Sequence, residues 1–107
     1  MKPSELNFQG VECVQTADTE ITGGYTSDLL SDVMAHLKEG DALITIQAHK
    51  NTIAVASLTG ASAVILCHGR TASPDMLTVA AKENIAIFVS SASQYETTVK
   101  LARALRV

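Results

Sequence analysis

From Ala42 onward, short apolar runs alternate with longer segments of helical periodicity, and this alternation restricts the fold more than any other feature of the chain. Ala42-Leu-Ile-Thr-Ile46, Ala63-Val-Ile-Leu-Cys67 and Ile85-Ala-Ile-Phe-Val89 each read as a strand. The last two are continuously apolar, as expected of strands buried on both faces of a parallel sheet. Roughly sixteen residues separate successive runs, enough for a helical crossover between parallel strands. The expected order is strand, helix, strand, helix, strand, helix, with right-handed connections and helices covering both faces.

The punctuation supports that order. Asn51 can cap a helix running to about Leu58, with Gly60 ending it. Ser73-Pro74-Asp75 combines a cap, a proline at the first helical position and an acid in the first turn, and this helix ends near Asn84. Ser93 and Glu96 have capping-box spacing before a final helix that runs to about Leu105. Upstream, Leu29, Leu30, Val33, Met34 and Leu37 fall at helical spacing. Thr26 or Ser27 is the expected cap of that helix and Gly40 its C-terminal stop. The first 26 residues are less regular: one helical turn at Ser4-Glu5-Leu6, a strand over Gly10–Val14, and a short strand at Ile21-Thr22 ended by Gly23-Gly24. The N-terminal strand can join the sheet at either edge.

At 107 residues the chain can bury one core, and one domain over residues 1–107 is expected. Hydrophobic residues make up 47% and charged residues 18%, a globular balance. With no Trp, two Phe and two Tyr, the core must be built from Ala, Val, Ile and Leu, leaving few faces on which bases could stack. Eight basic against eleven acidic residues give a net charge of −3, so the charge excess that drives nucleic-acid binding is missing. Lys100, Arg103 and Arg106 read as the solvated face and C-terminal charge of the last helix. No run approaches the ~18 apolar residues of a membrane span, and MKPSELNFQG has no apolar leader core, so a cytoplasmic protein away from membranes is expected. Cys13 and Cys67 lie in apolar runs and read as reduced, buried thiols.

Ligands of parallel sheets bind beyond the carboxyl ends of the strands. Three loops should lie there, Gln47–Lys50, His68–Ser73 and Ser90–Ser93, each leading into a helix N-terminus whose free N–H groups favour anions. Within them His49, His68, Gly69, Arg70 and Thr71 are the candidate ligand contacts. Gly24, Tyr25, Ser27 and Asp28 are candidates for an interface or a site wall. Gly23-Gly24 could admit a phosphate, but the segment lacks the lysine of a P-loop and Asp28 would repel an anion. No metal site is expected: His36 lies within a helix, and His49 and His68 end different strands without ligand spacing. Cys67 and His68 are adjacent on a strand and point to opposite faces, which argues against a nucleophile–base pair.

Two segments, Gly24-Tyr25-x-Ser27-Asp28-Leu29-Leu30-Ser31-Asp32-Val33-Met34 and Gln47-x-His49-x-Asn51, resemble stand-alone members of the DRTGG-domain family, and the resemblance extends over about residues 20–106. It implies an α/β fold, a small, mostly parallel sheet flanked by helices, similar to the N-terminal domain of HPr kinase/phosphorylase. It is also similar to regulatory segments of some phosphotransacetylases and CBS-domain pyrophosphatases. In such proteins the domain is regulatory or structural, often helps form a dimer, and leaves catalysis to another domain. Stand-alone members are often encoded near iron-hydrogenase or redox-sensing genes. The string nearest to the pentad that names the family is Gly69-Arg70-Thr71-Ala72-Ser73.

Three functions follow as expectations. The first is a non-catalytic regulatory module that homodimerises and senses a nucleotide or other small anionic metabolite, without a resident cofactor. It calls for an exposed apolar patch involving Gly23–Met34. The second is a ligand-free adapter for a protein partner in a redox, hydrogenase-related or metabolic regulatory system. The third is a small acid/base enzyme using His49 or His68, which needs a pocket joining both.

Overall fold

The apolar runs form a five-stranded sheet in the order β1-β5-β4-β3-β2. The computed structural model describes residues 1–106. The strands are β1 (Val11–Gln15), β2 (Gly23–Thr26), β3 (Asp41–Thr45), β4 (Ala63–Leu66) and β5 (Ala86–Ser90). The helices are α1 (Leu30–His36), α2 (Lys50–Thr59), α3 (Pro74–Glu83) and α4 (Gln94–Leu105), preceded by one 3-10 turn at Pro3–Glu5. Strands β2 to β5 are parallel, and β1 closes the β5 edge antiparallel, with a bulge between Cys13 and Gln15.

Because successive strand side chains point to opposite faces, each buried strand feeds two cores. Leu43, Val64, Leu66 and Ile87 meet Val33, Ile53, Ala56, Met76 and Ala80 beneath α1, α2 and α3. Ile44, Ile65 and Phe88 meet Leu101 of α4 on the other face, where Leu6 and Ile21 of the N-terminal segment also pack. On that face Gly24, Ala42, Ala63 and Ala86 stand in register across β2 to β5 and make one row of small residues. The row lets α4 and the N-terminal segment approach the sheet. At Gly24 a Cβ would lie 3.0 Å from Leu101 Cδ2, so any larger residue there would press on the α4 contact.

The caps of α3 and α4 form as the sequence indicates: Ser73 Oγ accepts from Met76 N–H, and Ser93 Oγ accepts from Glu96 N–H. Four local expectations need correction. The second strand is Gly23–Thr26 rather than Ile21-Thr22; Ile21 turns into the core and its N–H bonds to Met1 O. Helix α1 is capped by neither Thr26 nor Ser27 but begins after Leu29, because Thr26 remains in β2 and Asp28 is drawn toward β3. It ends at His36, well before Gly40, where Leu37 turns extended and buries its side chain and Asp41 Oδ2 accepts from Lys38 N–H. The cap of α2 is His49, whose Nδ1 accepts from Asn51 N–H, so Asn51 falls inside the helix. Cys67 is buried as expected, but Cys13 is exposed because β1 is an edge strand that the helices leave largely uncovered. No helix among the described residues is long and apolar enough to cross a membrane.

One side chain holds the carboxyl end of the sheet together. Asp28 Oδ1 accepts from Thr45 Oγ1 (2.9 Å), Ile46 N–H (2.9 Å) and Gln94 Nε2 (3.0 Å). Its backbone carbonyl accepts from Gln47 Nε2 at 3.0 Å. The carboxylate thus joins the β2–α1 loop, the end of β3 and the first turn of α4. Thr45 is fully buried, so removing its acceptor strands a hydroxyl as well as an amide N–H. Asp28→Ala is expected to lower unfolding free energy by about 2–3 kcal/mol and Asp28→Asn by less, as read by chemical denaturation; a loss below ~0.5 kcal/mol for the alanine variant, the scale of a neutral surface change, would contradict this role.

Candidate functional site

The β4–α3 connection begins with a tight turn. His68 and Gly69 both have positive φ, 57° and 68°, and Arg70 N–H donates to Cys67 O at 3.1 Å. Two left-handed central residues closed by that bond make a type I′ turn. A Cβ on Gly69 would meet nothing within 4 Å, so its glycine serves the backbone conformation and not packing. The turn is tied to the next loop: His68 N–H donates to Ala92 O (2.9 Å) and Gly69 N–H to Ser90 O (3.0 Å). Across the way, Ser91 N–H donates to Gly10 O at 3.0 Å and anchors the start of β1.

These ties frame an open cleft of about 390 Å³. Gly69, Arg70 and Thr71 form one side, Gly10, Val11 and Glu12 the other, and Val89, Ser90 and Ser91 lie between. Its volume falls within the lower part of the range for small-molecule sites. Three of the five sequence-predicted ligand contacts are therefore brought together. His49 is not among the lining residues and is engaged in capping α2; His68 supplies its backbone to the turn while its exposed side chain also stays outside the lining. The β1 side of the cleft was not legible from sequence, because which edge the N-terminal strand joins depends on tertiary pairing. The charged, off-pattern Glu12 within the apolar run GVECV was the available signal.

The second group of candidates divides by face. Gly24 is a packing residue against α4, and Asp28 is the pin between loops. Ser27 Oγ accepts from Leu29 N–H at 3.2 Å. Tyr25 lies on the α1 side, where its hydroxyl donates to Asp32 Oδ2 at 2.6 Å and its ring stacks on His36 with centroids 6.3 Å apart. His36 Nδ1 in turn lies 3.1 Å from Asp32 Oδ1. Outside this cluster, Leu29 and Met34 are 65% and 51% exposed.

Chemistry at these groups is limited by their surroundings. Burial pushes the Cys67 thiol up, opposed by a hydrogen bond from Thr97 and reinforced by the negative charge of Asp28, so the thiolate is disfavoured. The exposed Cys13 thiol is also raised, chiefly by partial desolvation. Among the described residues no three His, Cys, Asp or Glu side chains are grouped to hold a metal ion.

The Tyr25 hydrogen bond, followed by that of Ser27, holds the Asp32 carboxyl below the usual range. A depressed carboxyl contributes stability above its unfolded pKa and loses it as pH falls through the folded value. Tyr25→Phe is expected to move the Asp32 titration upward, toward the ordinary aspartate value, in carboxyl carbon NMR. An unchanged titration would show that the bond does not persist in solution.

No curated protein matches the sequence. The fold is similar to the crystal structure of the CBS and DRTGG domains of the regulatory region of Clostridium perfringens pyrophosphatase, complexed with the activator diadenosine tetraphosphate. That likeness has a TM-score of 0.69 at 15% sequence identity and covers 89% of this chain and 43% of that one. The chain thus spans less than half the length of that regulatory region. The match to the DRTGG domain runs over residues 22–104, from the start of β2 nearly to the end of α4. By that match across most of its length, the chain belongs to the DRTGG domain family.

Proposed function

We propose that this chain is a non-catalytic regulatory module that responds to a small ligand carrying an anionic group, a nucleotide foremost, and that it works as a homodimer. The observation that carries the reading is the placement of Arg70, the one cation lining the cleft among the described residues, at the close of a turn fixed by hydrogen bonds to its own strand and to the neighbouring loop. A guanidinium is suited to paired hydrogen bonds with a phosphate or carboxylate. A fixed turn reduces the ordering cost of binding. The similar pyrophosphatase region was crystallised with a nucleotide activator, which adds weight to a nucleotide ligand here.

The catalytic alternative is weaker. A general base must reach the proton that it takes, yet His49 has one ring nitrogen occupied by the α2 cap and neither His49 nor His68 lines the cleft.

For the dimer, the support is the edge position of β2 and the exposure of Leu29 and Met34 in the segment that follows it. A two-fold axis pairs the same strand with itself antiparallel, so one self-complementary edge can serve both copies. Leu29→Glu with Met34→Glu is expected to convert a dimer to a monomer by light scattering, with secondary structure intact. A monomeric parent chain would remove this part of the proposal.

For the ligand, thermal unfolding should be followed across nucleotides and sugar phosphates. At ~100-fold excess over Kd, native-state binding adds roughly 2.7 kcal/mol, a rise on the order of 10 °C or more for a domain of this size. Arg70→Ala should abolish the rise while leaving the unliganded Tm nearly unchanged. No rise with any compound would favour the ligand-free adapter, with a redox or metabolic regulatory protein as its partner.

A further inference from the structure

The cleft carries one charge of each sign. Arg70 stands on the β4–α3 side and Glu12 on the β1 side, and both residues are exposed. Among the described residues the ion pairs are Met1 with Glu20, Lys2 with Asp18 and His36 with Asp32. Arg70 and Glu12 therefore face a common space without neutralising each other. Glu12 is fixed by the antiparallel register in which it lies opposite Val89, which also lines the cleft. The Ser90 hydroxyl is occupied internally, bonded to Thr97 Oγ1 at 2.9 Å and accepting from Ala92 N–H at 3.2 Å.

We propose that the cleft selects a dipolar small molecule, with an anionic group on Arg70 and an ammonium or other hydrogen-bond donor on Glu12, and discriminates against polyphosphates. This rests on the ligand-binding reading above and specifies its chemistry. An ionised carboxylate only accepts hydrogen bonds, and a guanidinium only donates them. The two ends of the cleft therefore ask for opposite groups on the ligand. One guanidinium can hold one phosphate or carboxylate in a paired contact. A phosphate chain brings further negative charge with no second cation in the lining, and it meets Glu12, a like-charge contact of the kind that enforces specificity. Val89, on the same sheet face as Glu12, supplies apolar surface for the ligand's middle. Nucleoside monophosphates, through phosphate and sugar hydroxyls, and free amino acids, through carboxylate and ammonium, share this chemistry.

Isothermal titration calorimetry on the full chain tests the inference and separates the two sources. One arm uses adenosine and guanosine monophosphates, another the free α-amino acids, and a third ATP and diadenosine tetraphosphate. Binding is expected in one of the first two arms, weakened at least tenfold by both Arg70→Ala and Glu12→Gln. The polyphosphates should bind at least tenfold more weakly than that ligand to the parent chain and gain affinity in Glu12→Gln. Both positions are exposed, and circular dichroism would confirm that the variants fold. Tighter binding of a polyphosphate, dependent on Arg70 and indifferent to Glu12, would overturn the dipolar selection while leaving an anion-responsive module standing. Heat from no probe in any arm would overturn both.

Discussion

The carboxylate of Asp28 is the constraint on which the carboxyl edge of the sheet depends. Three donors from two segments converge on Oδ1: a hydroxyl and the following amide at the end of β3, and a side-chain amide at the start of α4. Without it the β2–α1 loop would lose its side-chain ties to the end of β3 and the start of α4. Buried donors must find acceptors or carry a desolvation cost. A single acidic residue therefore fixes the relation between two parallel strands and the helix that crosses the opposite face. The same commitment explains why α1 starts late, since a residue bonded toward β3 cannot also cap the helix beside it.

From this edge the rest of the architecture follows. The four parallel strands run in sequential order, β2 to β5, so this part of the sheet has no reversal of strand order and none of the crevice that such a reversal opens. The cleft arises instead where β1 returns antiparallel beside β5 and brings Gly10, Val11 and Glu12 opposite the Gly69-Arg70-Thr71 turn. The N-terminal strand thus lines the cleft as well as closing one sheet edge. The row Gly24, Ala42, Ala63 and Ala86 makes this arrangement compact by letting α4 and the N-terminal segment lie close on the face opposite α1 to α3. The other edge strand is β2, which among the described residues pairs with β3 alone.

Much of this was legible in the residues. The strands β3, β4 and β5 are apolar runs bounded by strong helix signals, and local chemistry sufficed to place them within a residue or two. Ser73 and Ser93 cap where expected because their bonds span only three residues. Expectations failed where another bond displaced the expected cap or stop, at long range for Asp28 and within three residues for Asp41 and His49. Asp28 reaches β3 and α4, so the start of α1 could not be inferred from the neighbouring serine and threonine. Asp41 reaches back to Lys38 N–H, so the helix stops short of Gly40. His49 displaced Asn51 as a cap because its ring nitrogen reaches the amide two residues ahead. For the site, the turn Gly69–Thr71 was identifiable by its position after a parallel strand. Glu12 was not, since its role depends on which sheet edge the N-terminal strand chooses.

The central claim is that the carboxyl edge of the sheet, between the Arg70 turn and the start of β1, is a ligand site held rigid by the surrounding loops. The most direct measurement is a backbone amide NMR titration of the isotopically labelled chain with a nucleoside monophosphate. The account predicts saturable shifts concentrated at Gly10–Glu12, Gly69–Thr71 and Ser91, with the amides of β2 and α2 unmoved. Shifts centred on β2 and α1, or none anywhere, would contradict it.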